Sequence, residues 1–346
     1  MKRERKSNFE LLRIVSMCGI IAIHYLAGSL GGMAENASFP EFAWFLSQFV
    51  NSAACPLVNC FVLISGYFMI SKDTFCIRKS VDLLIITMFY GIIGYTIGIL
   101  SGVTAFSIKG MFYSIVPFFE AKRWFVETYI ILILLVPFIN KALRSLDKRN
   151  FRTLLVISIS IFSLWYTIGL SSPVLDDGYG IINFIVLYML GAYLKLFGSE
   201  DKLLKIKKWK ALTAYIICVL VTFVLSYFIY PFGYAFITNI IGAVFAFVFF
   251  MKLNIGANKK INAVSEATFD VYFVHSDTYT CRLMVYEILQ GKMFVNTIWM
   301  LPHLILVIGV MWILGILAFR LRKALFAISV NKILDKIKIV NNTQII

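Results

Sequence analysis

Two ionisable side chains, Arg13 and His24, lie within one long apolar segment near the start of the 346-residue chain. They are 11 positions apart, so an α-helix places them on one face, separated by about 16 Å along its axis. Both are unfavourable in hydrocarbon, and an intramembrane histidine is by default a candidate functional residue. His24 can accept a proton there as a general base. Arg13 can pair with Glu10 one turn earlier, and it either takes part in the function or only extends its charge to the membrane surface.

A second polar group lies in the apolar segment 267–289. Five of its side chains recur at helical spacing and predict one polar face on a continuous helix: Thr268, Tyr272, His275, Tyr279 and Arg282. Asp270 and Asp277 flank this face. Because a polar face is unfavourable against lipid, it either lines a cavity or forms hydrogen bonds that hold helices together.

Further candidates lie at the ends of two other apolar segments. In "KRWFVETY", Trp124 fits an aromatic belt at the outer membrane surface, with Arg123 just above it. Glu127 lies one turn inside and can pair with Arg123 or with another helix, either as a structural ion pair or as a site residue. In "NCFVLISGYF", Ser65 and Gly66 favour close packing of helices.

The six cysteines and three histidines show no metal-ligand spacing, so we expect no metal cofactor. Most of the cysteines lie inside apolar segments, where thiols behave as small apolar side chains. His303 follows Pro302 near the start of the last apolar segment, and it is expected at the membrane interface.

Long apolar segments must position these residues. Hydrophobic residues make up 60% of the chain, against about 45–50% in soluble domains, and they form blocks long enough to cross a bilayer. We therefore predict an all-α polytopic membrane protein with about ten transmembrane helices. The predicted spans are 9–30, 43–70, 81–101, 124–142, 153–170, 181–197, 211–230, 234–251, 267–289 and 298–319.

The net charge of +15 is distributed unevenly between the predicted loops. The N-terminal "MKRERK", Arg78, Lys79 and the basic groups of alternate later loops fall on one side, which the positive-inside rule identifies as cytoplasmic. Both termini are then cytoplasmic, and the basic excess indicates membrane topology and no nucleic-acid partner. We expect one transmembrane domain over residues 1–320 and a short basic cytoplasmic tail over 321–346.

Five stretches, in order along the chain, resemble the acyltransferase-3 family of integral membrane acyltransferases. They are the Arg13-to-His24 segment, "NCFVLISGYF" (59–68), "RWFVETYIILILLVPFIN" (123–140), "FIVLYMLGAYL" (184–194) and "SEATFDVYFVHSD" (265–277). The resemblance runs from residue 8 to about 320, and the family usually has ten spans. One position departs from the family, which often has an Arg-x-x-Arg pattern on its first cytoplasmic loop. Here Val81 stands three positions after Arg78, where the second Arg would fall.

The resemblance implies transfer of an acyl group, most often acetyl, from cytoplasmic acetyl-coenzyme A to a hydroxyl of a cell-surface or lipid-linked glycan. His24 is then the general base, and Arg13 holds a donor phosphate or fixes the helix through Glu10. Arg78 and Lys79 contribute to donor binding. The residues that would bind or orient the substrate are Glu10, Ser65, Arg123, Trp124, Glu127, Tyr272, His275 and Tyr279. The protein is then a multi-pass O-acyltransferase of the bacterial plasma membrane that modifies a polysaccharide of the cell envelope.

Two other classes of protein also place ionisable residues in a membrane. A polysaccharide exporter or a proton-coupled permease uses such groups along its path, although the chain has neither an internal repeat nor paired Gly/Pro-broken segments typical of transporters. A purely structural or sensory membrane protein leaves the polar faces unexplained. The sequence favours the enzyme.

Overall fold

The fold is described from a computed structural model, which covers residues 5–26, 32–72, 77–116, 123–169, 176–200 and 202–328. Within those ranges the chain forms α-helices, π-helical turns and short connections, and it forms no β-strand. In chain order the α-helices are α1 (Ser7–Leu26), α2 (Phe42–Met69), α3 (Ile77–Leu100), α4 (Ile108–Ile115), α5 (Trp124–Arg144), α6 (Lys148–Ile159), α7 (Trp165–Thr167), α8 (Ile181–Phe197), α9 (Lys202–Lys205), α10 (Lys208–Leu225), α11 (Ile237–Met251), α12 (Lys259–Glu266), α13 (Thr268–Ser276), α14 (Thr278–Arg282) and α15 (Met300–Ile328).

Of the helices in the described ranges, 6 are long and apolar enough to cross a membrane: α1, α2, α3, α5, α10 and α15. The shorter apolar helices α8 and α11 fall where two further spans are predicted. The predicted span 153–170 corresponds to α6 and α7, which are joined by a π-helical segment at Ser160–Leu164. The chain is thus all-helical and polytopic, whereas the count of ten spans and the cytoplasmic termini remain predictions.

The predicted span 267–289 is not one continuous helix. It breaks at Asp277, whose backbone is extended between α13 and α14, and it continues as a π-helical segment at Leu283–Ile288. The side chain of Asp277 accepts hydrogen bonds from the backbone N–H of Thr280 at 2.8 Å and from its hydroxyl at 2.9 Å. Asp277 therefore ends one helix and caps the start of the next.

Helix α2 lies at the centre of the bundle and packs against α1, α8, α10 and α11. Its contact with α8 depends on glycines, because a Cβ atom at Gly66 would lie 2.1 Å from the backbone oxygen of Tyr188. A Cβ atom at Gly191 would lie 2.2 Å from the backbone oxygen of Leu63. The close packing predicted around Gly66 is confirmed.

The chain after α3 folds back along that helix. The hydroxyl of Tyr95 accepts from the backbone N–H of Ser107 at 2.7 Å, and a Cβ atom at Gly91 would meet the backbone oxygen of Ser114. Arg123 then donates to the backbone oxygen of Thr87 at 2.7 Å. Because Thr87 is near the middle of the 24-residue α3, α5 begins at mid-depth in the bundle. Trp124, the first residue of α5, therefore lies beside the middle of α3, and its place in an outer aromatic belt stays a prediction.

A buried ion pair ties α13 to the last helix. Arg322 donates from Nε to Asp270 Oδ1 at 2.6 Å and from Nη2 to Oδ2 at 3.0 Å, and the Tyr90 hydroxyl donates to Oδ1 at 2.6 Å. Arg322 belongs to the predicted tail, whose first residues continue α15 to Ile328. Residues 329–346 of that tail lie outside the described residues.

Candidate active site

A cavity of about 790 Å³ opens among α1, α2, α5, α13 and the segment 226–234 between α10 and α11. Its aromatic lining residues are Phe61, Trp124, Phe125, Tyr179, Tyr230, Phe232, Tyr234, Phe269 and Tyr272. Its polar lining residues include His24, Glu35, Ser47, Gln48, Asn51, Ser226, Thr268, Ser276 and Thr278. The volume falls within the range of small-molecule sites, about 300–1,000 Å³.

His24 lies on the wall of this cavity, next to a second histidine. The ring centroids of His24 and His275 are 5.1 Å apart. The Nδ1 atom of His275 is 2.7 Å from the backbone oxygen of Val271. Since a carbonyl oxygen only accepts, Nδ1 carries the proton, and Nε2 of a neutral His275 is an acceptor. Helix α13 therefore fixes the tautomer of His275, and the fold brings this residue next to His24.

Two nitrogens of this pair are buried without a hydrogen-bond partner in the described part of the chain: His24 Nδ1 and His275 Nε2. Buried polar atoms normally have a partner, so each exception needs an explanation such as a catalytic role or an unplaced ligand. Tyr272 borders the pair, with its ring 5.8 Å from that of His275, and it also lines the cavity. These groups can exchange protons with a substrate held in the cavity.

Trp124 is part of an aromatic wall of the cavity. Its ring stacks on Tyr234 with centroids 5.2 Å apart, and the Tyr179 ring meets it edge-on at 4.6 Å. Trp124 is held in place at the start of α5 because the preceding residue, Arg123, is hydrogen-bonded to α3. The substrate-side role that the family resemblance implies for Trp124 is compatible with this position in the cavity lining.

Arg123 lies behind the cavity, at the break between α13 and α14. Its guanidinium is 3.8 Å from the carboxylate of Asp277 and 5.7 Å from the ring centroid of Phe273. Glu127 is close enough to Arg123 for their charges to interact. One carboxylate oxygen of Glu127, Oε1, is buried and has no hydrogen-bond partner among the described residues. Arg123 thus holds α3, α5 and the helix break together.

Arg13 and Glu10 form the ion pair that their spacing predicted, with Arg13 Nη1 2.6 Å from Glu10 Oε1. The other oxygen of Glu10 accepts from the hydroxyl of Ser265 at 2.5 Å. This pair joins α1 to α12, next to the start of α13. Arg13 keeps 33% of its side chain exposed, so its remaining N–H groups can reach a ligand. The pair lies outside the cavity lining, toward the start of α1.

Ser65 and Lys79 meet at a residue that the sequence did not single out. The hydroxyl of Tyr129 is 2.9 Å from Ser65 Oγ, and Lys79 donates to it at 3.4 Å. The charge of Arg13 also acts on this hydroxyl. Arg78 lies beside Lys79 in the first turn of α3. The predicted donor-binding residues therefore lie in the same part of the bundle as Arg13, and only the fold reveals Tyr129 between them.

Tyr279 and Arg282 do not share a face with Thr268, Tyr272 and His275, so this part of the predicted polar face is wrong. Tyr279 lies beyond the break and lines a separate cavity of about 70 Å³ with Arg123 and Asp277. Arg282 is exposed. The helical spacing assumed a continuous helix, and the extended backbone at Asp277 changes the direction of every later side chain.

His303, which the sequence places near the membrane interface, is buried inside the protein. Its Nδ1 is 2.9 Å from the hydroxyl of Tyr25, and its Nε2 is 3.0 Å from the backbone oxygen of Leu289. Since the carbonyl only accepts, Nε2 donates and Nδ1 accepts from the tyrosine. Both nitrogens are satisfied, and His303 is a structural residue.

Comparison with known proteins gives one finding that covers nearly the whole chain. A family model described as an acyltransferase domain matches residues 6–320. Comparisons with curated proteins and with solved structures give no match. The matched range contains His24 of the cavity lining, the neighbouring His275, both members of the Arg13–Glu10 pair and the start of α3. The chain belongs to the acyltransferase-3 family and is a membrane acyltransferase.

Proposed function

We propose that the protein is an O-acetyltransferase that moves an acetyl group from cytoplasmic acetyl-coenzyme A to a hydroxyl of a cell-surface or lipid-linked glycan. The supporting observation is that His24 lines a cavity of about 790 Å³ and lies beside His275, and that each of these histidines has a buried nitrogen without a hydrogen-bond partner among the described residues. A base with a free nitrogen beside a large cavity is what activation of a hydroxyl requires.

The reaction begins when the imidazole of His24 takes the proton of the acceptor hydroxyl. The hydroxyl oxygen then attacks the thioester carbonyl carbon and forms a tetrahedral oxyanion, which a hydrogen bond from Tyr272 stabilises. The carbon–sulfur bond breaks, and the thiolate of coenzyme A leaves and takes the proton from the His24 imidazolium. The acetyl ester remains on the glycan, and neutral His24 is regenerated.

His275 orients the base. With its own proton donated to Val271, its Nε2 can accept a hydrogen bond from Nδ1–H of His24. That bond leaves Nε2 of His24 without a proton, ready to accept one from the substrate. His275 is thus a positioning residue, whose ring lies 5.1 Å from that of His24 between centroids.

The donor enters from the side where Arg78, Lys79 and Arg13 lie. Coenzyme A carries several phosphate oxygens, which bind guanidinium and ammonium groups through charge-assisted hydrogen bonds. Tyr129, held between Ser65 and Lys79, adds a hydroxyl to this surface. The acceptor occupies the opposite end of the cavity, beside the aromatic wall of Trp124.

The test compares glycan acetylation by wild-type protein and by His24→Ala in membranes supplied with radiolabelled acetyl-coenzyme A. Alkali-labile label on the glycan is expected with the wild type and absent with the variant. Label that remains at the wild-type level in a normally folded His24→Ala protein contradicts the role of His24 as base.

A polysaccharide exporter or proton-coupled permease is the second candidate. The helix break at Asp277 favours it, because discontinuous helices often line transport sites. Such a protein would lose export or solute uptake in His24→Ala membranes while acetate on the glycan stays unchanged. Measurement of both quantities on one set of membranes separates the two functions.

A further inference from the structure

We infer that the acceptor unit inside the cavity is an uncharged sugar, held between an amide-bearing face of α2 and the aromatic wall around Trp124. This inference rests on the proposed function and adds the chemical class of the acceptor. The inference depends on the side chains that line the half of the cavity away from Arg13 and Lys79. In that half, hydrogen-bonding amides face aromatic rings, and cations are missing from the described lining.

The amide face belongs to the first half of α2. Ser47, Gln48 and Asn51 are spaced so that all three point into the cavity. Asn51 donates to Ser47 Oγ at 3.2 Å, which uses one of its amide hydrogens. Each amide side chain has two N–H donors and an accepting oxygen, so this face can bind several neighbouring hydroxyl groups at once.

The opposite wall is aromatic. Trp124 is held by its stack with Tyr234, and Tyr179 and Tyr230 stand at the more exposed edge. The ring carbons of a pyranose present C–H groups that pack against such rings, while its hydroxyls point outward from the ring edge. A sugar between the two walls satisfies both of them, and a purely apolar acceptor leaves the amides unpaired.

The charges of the lining exclude an anionic sugar. Among the described lining residues Glu35 is the one carboxylate and there is no lysine or arginine, and Glu35 is exposed at the mouth. Arg123 is already bound by Thr87, Asp277 and the ring of Phe273 behind the helix break. A carboxylate in the cavity is therefore desolvated without a counter-ion and meets the negative charge of Glu35 on entry.

The experiment measures kcat/KM for a neutral hexopyranoside and for the uronic acid of the same configuration, at fixed labelled acetyl-coenzyme A. We expect the neutral sugar to be preferred by more than about tenfold, because the free energy needed to desolvate one charge is larger than the free energy that a typical hydrogen bond contributes. Glu35→Gln should lower the ratio of kcat/KM for the neutral sugar to that for the uronic acid by several-fold. Gln48→Arg supplies a counter-ion to the carboxylate and should lower this ratio further. Glu41→Gln is the matched control, because this carboxylate contacts Ser38 and Asn296 outside the cavity. It should leave the ratio unchanged.

The outcomes separate this inference from the proposed function. Equal or better use of the uronic acid overturns the charge argument and leaves the acetyltransferase in place. Hydrolysis of acetyl-coenzyme A that depends on His24, without label on either sugar, overturns the sugar as acceptor class. If acetyl-coenzyme A reacts equally with the wild type and with His24→Ala, no reaction of the donor depends on His24, and the proposed function itself is overturned. Asn51→Ala gives a further check, since it should raise KM for the neutral sugar about tenfold and leave KM for the donor unchanged.

Discussion

Helix α13 carries two buried ionisable residues, Asp270 and His275, whose surroundings differ. Both oxygens of Asp270 accept hydrogen bonds, from Arg322 and Tyr90. His275 has one nitrogen bonded to its own helix, while the other is buried and unpartnered. They are only five positions apart, so the same helix presents a completed polar network to α15 and an incomplete one to His24, which lines the cavity.

The difference separates structural polar groups from functional ones. A buried charge without partners is strongly unfavourable, so Asp270 and Arg322 stabilise the fold only as a pair. A neutral imidazole has a smaller desolvation penalty, and an unpartnered nitrogen beside a cavity is free to bind a substrate. His24 and His303 repeat this contrast, since His303 has both nitrogens bonded. On this basis we expect completed networks to control stability and incomplete ones to control activity.

The largest effect on activity is expected at His24. Loss of a general base lowers the rate by about 10²–10⁴, which is roughly 3–5 kcal/mol. His24→Ala should therefore abolish acetylation in cells while the amount of protein in membranes stays normal. Alkali-labile acetate on the glycan and immunoblots of the membranes measure the two quantities.

His303→Ala is the matched control for that result. It leaves the Tyr25 hydroxyl and the Leu289 carbonyl without their partner, so we expect a loss of about 1–3 kcal/mol of stability. Activity per folded molecule should remain near the wild type. A His303→Ala protein that is stable but inactive would show that completed hydrogen bonds do not mark structural histidines here.

Asp270→Ala is expected to give the largest loss of stability. It leaves Arg322 buried without its partner, and breaking such a pair typically destabilises a protein by about 3–5 kcal/mol. The melting temperature in detergent should fall far more than for His24→Ala. The double variant Asp270→Ala with Arg322→Met should recover part of the loss, because it removes the remaining charge. Equal melting temperatures of the single and double variants would contradict this account of the network.

The sequence predicted the helices better than the contacts between them. The spacing of Glu10 and Arg13 was sufficient to predict their ion pair, because both partners lie on one helix turn. The break at Asp277 was missed, although an Asp three positions before a Thr whose N–H it caps is a helix-start signal. Asp270 and Arg322 are 52 positions apart, and periodicity within one segment carries no information about such a pair. The hydrogen bond from Arg123 to the backbone of Thr87, 36 positions earlier, was hidden for the same reason.

A smaller effect on activity is expected at His275. If it positions His24, His275→Ala should lower kcat by about tenfold, the equivalent of one hydrogen bond, with little change in KM for the donor. His275→Gln keeps an acceptor in reach and should restore part of kcat. A structural role predicts instead that both variants lose stability and that kcat per folded molecule is unchanged, which thermal unfolding in detergent would reveal.

The smallest effect is expected at the donor end. Replacing Arg78 and Lys79 together by Ala should raise KM for acetyl-coenzyme A several-fold and leave kcat nearly unchanged. The two cations lie at the start of α3, where Lys79 is exposed, and solvent and salt screen such a surface. The difference from wild type should therefore shrink as ionic strength rises. The matched control is the pair Arg149→Ala and Arg152→Ala, which removes the same charge from a different helix, α6, and should leave KM unchanged. If KM rises equally in both double variants, the donor responds only to the net charge of the surface, and Arg13 becomes the candidate that contacts its phosphates directly.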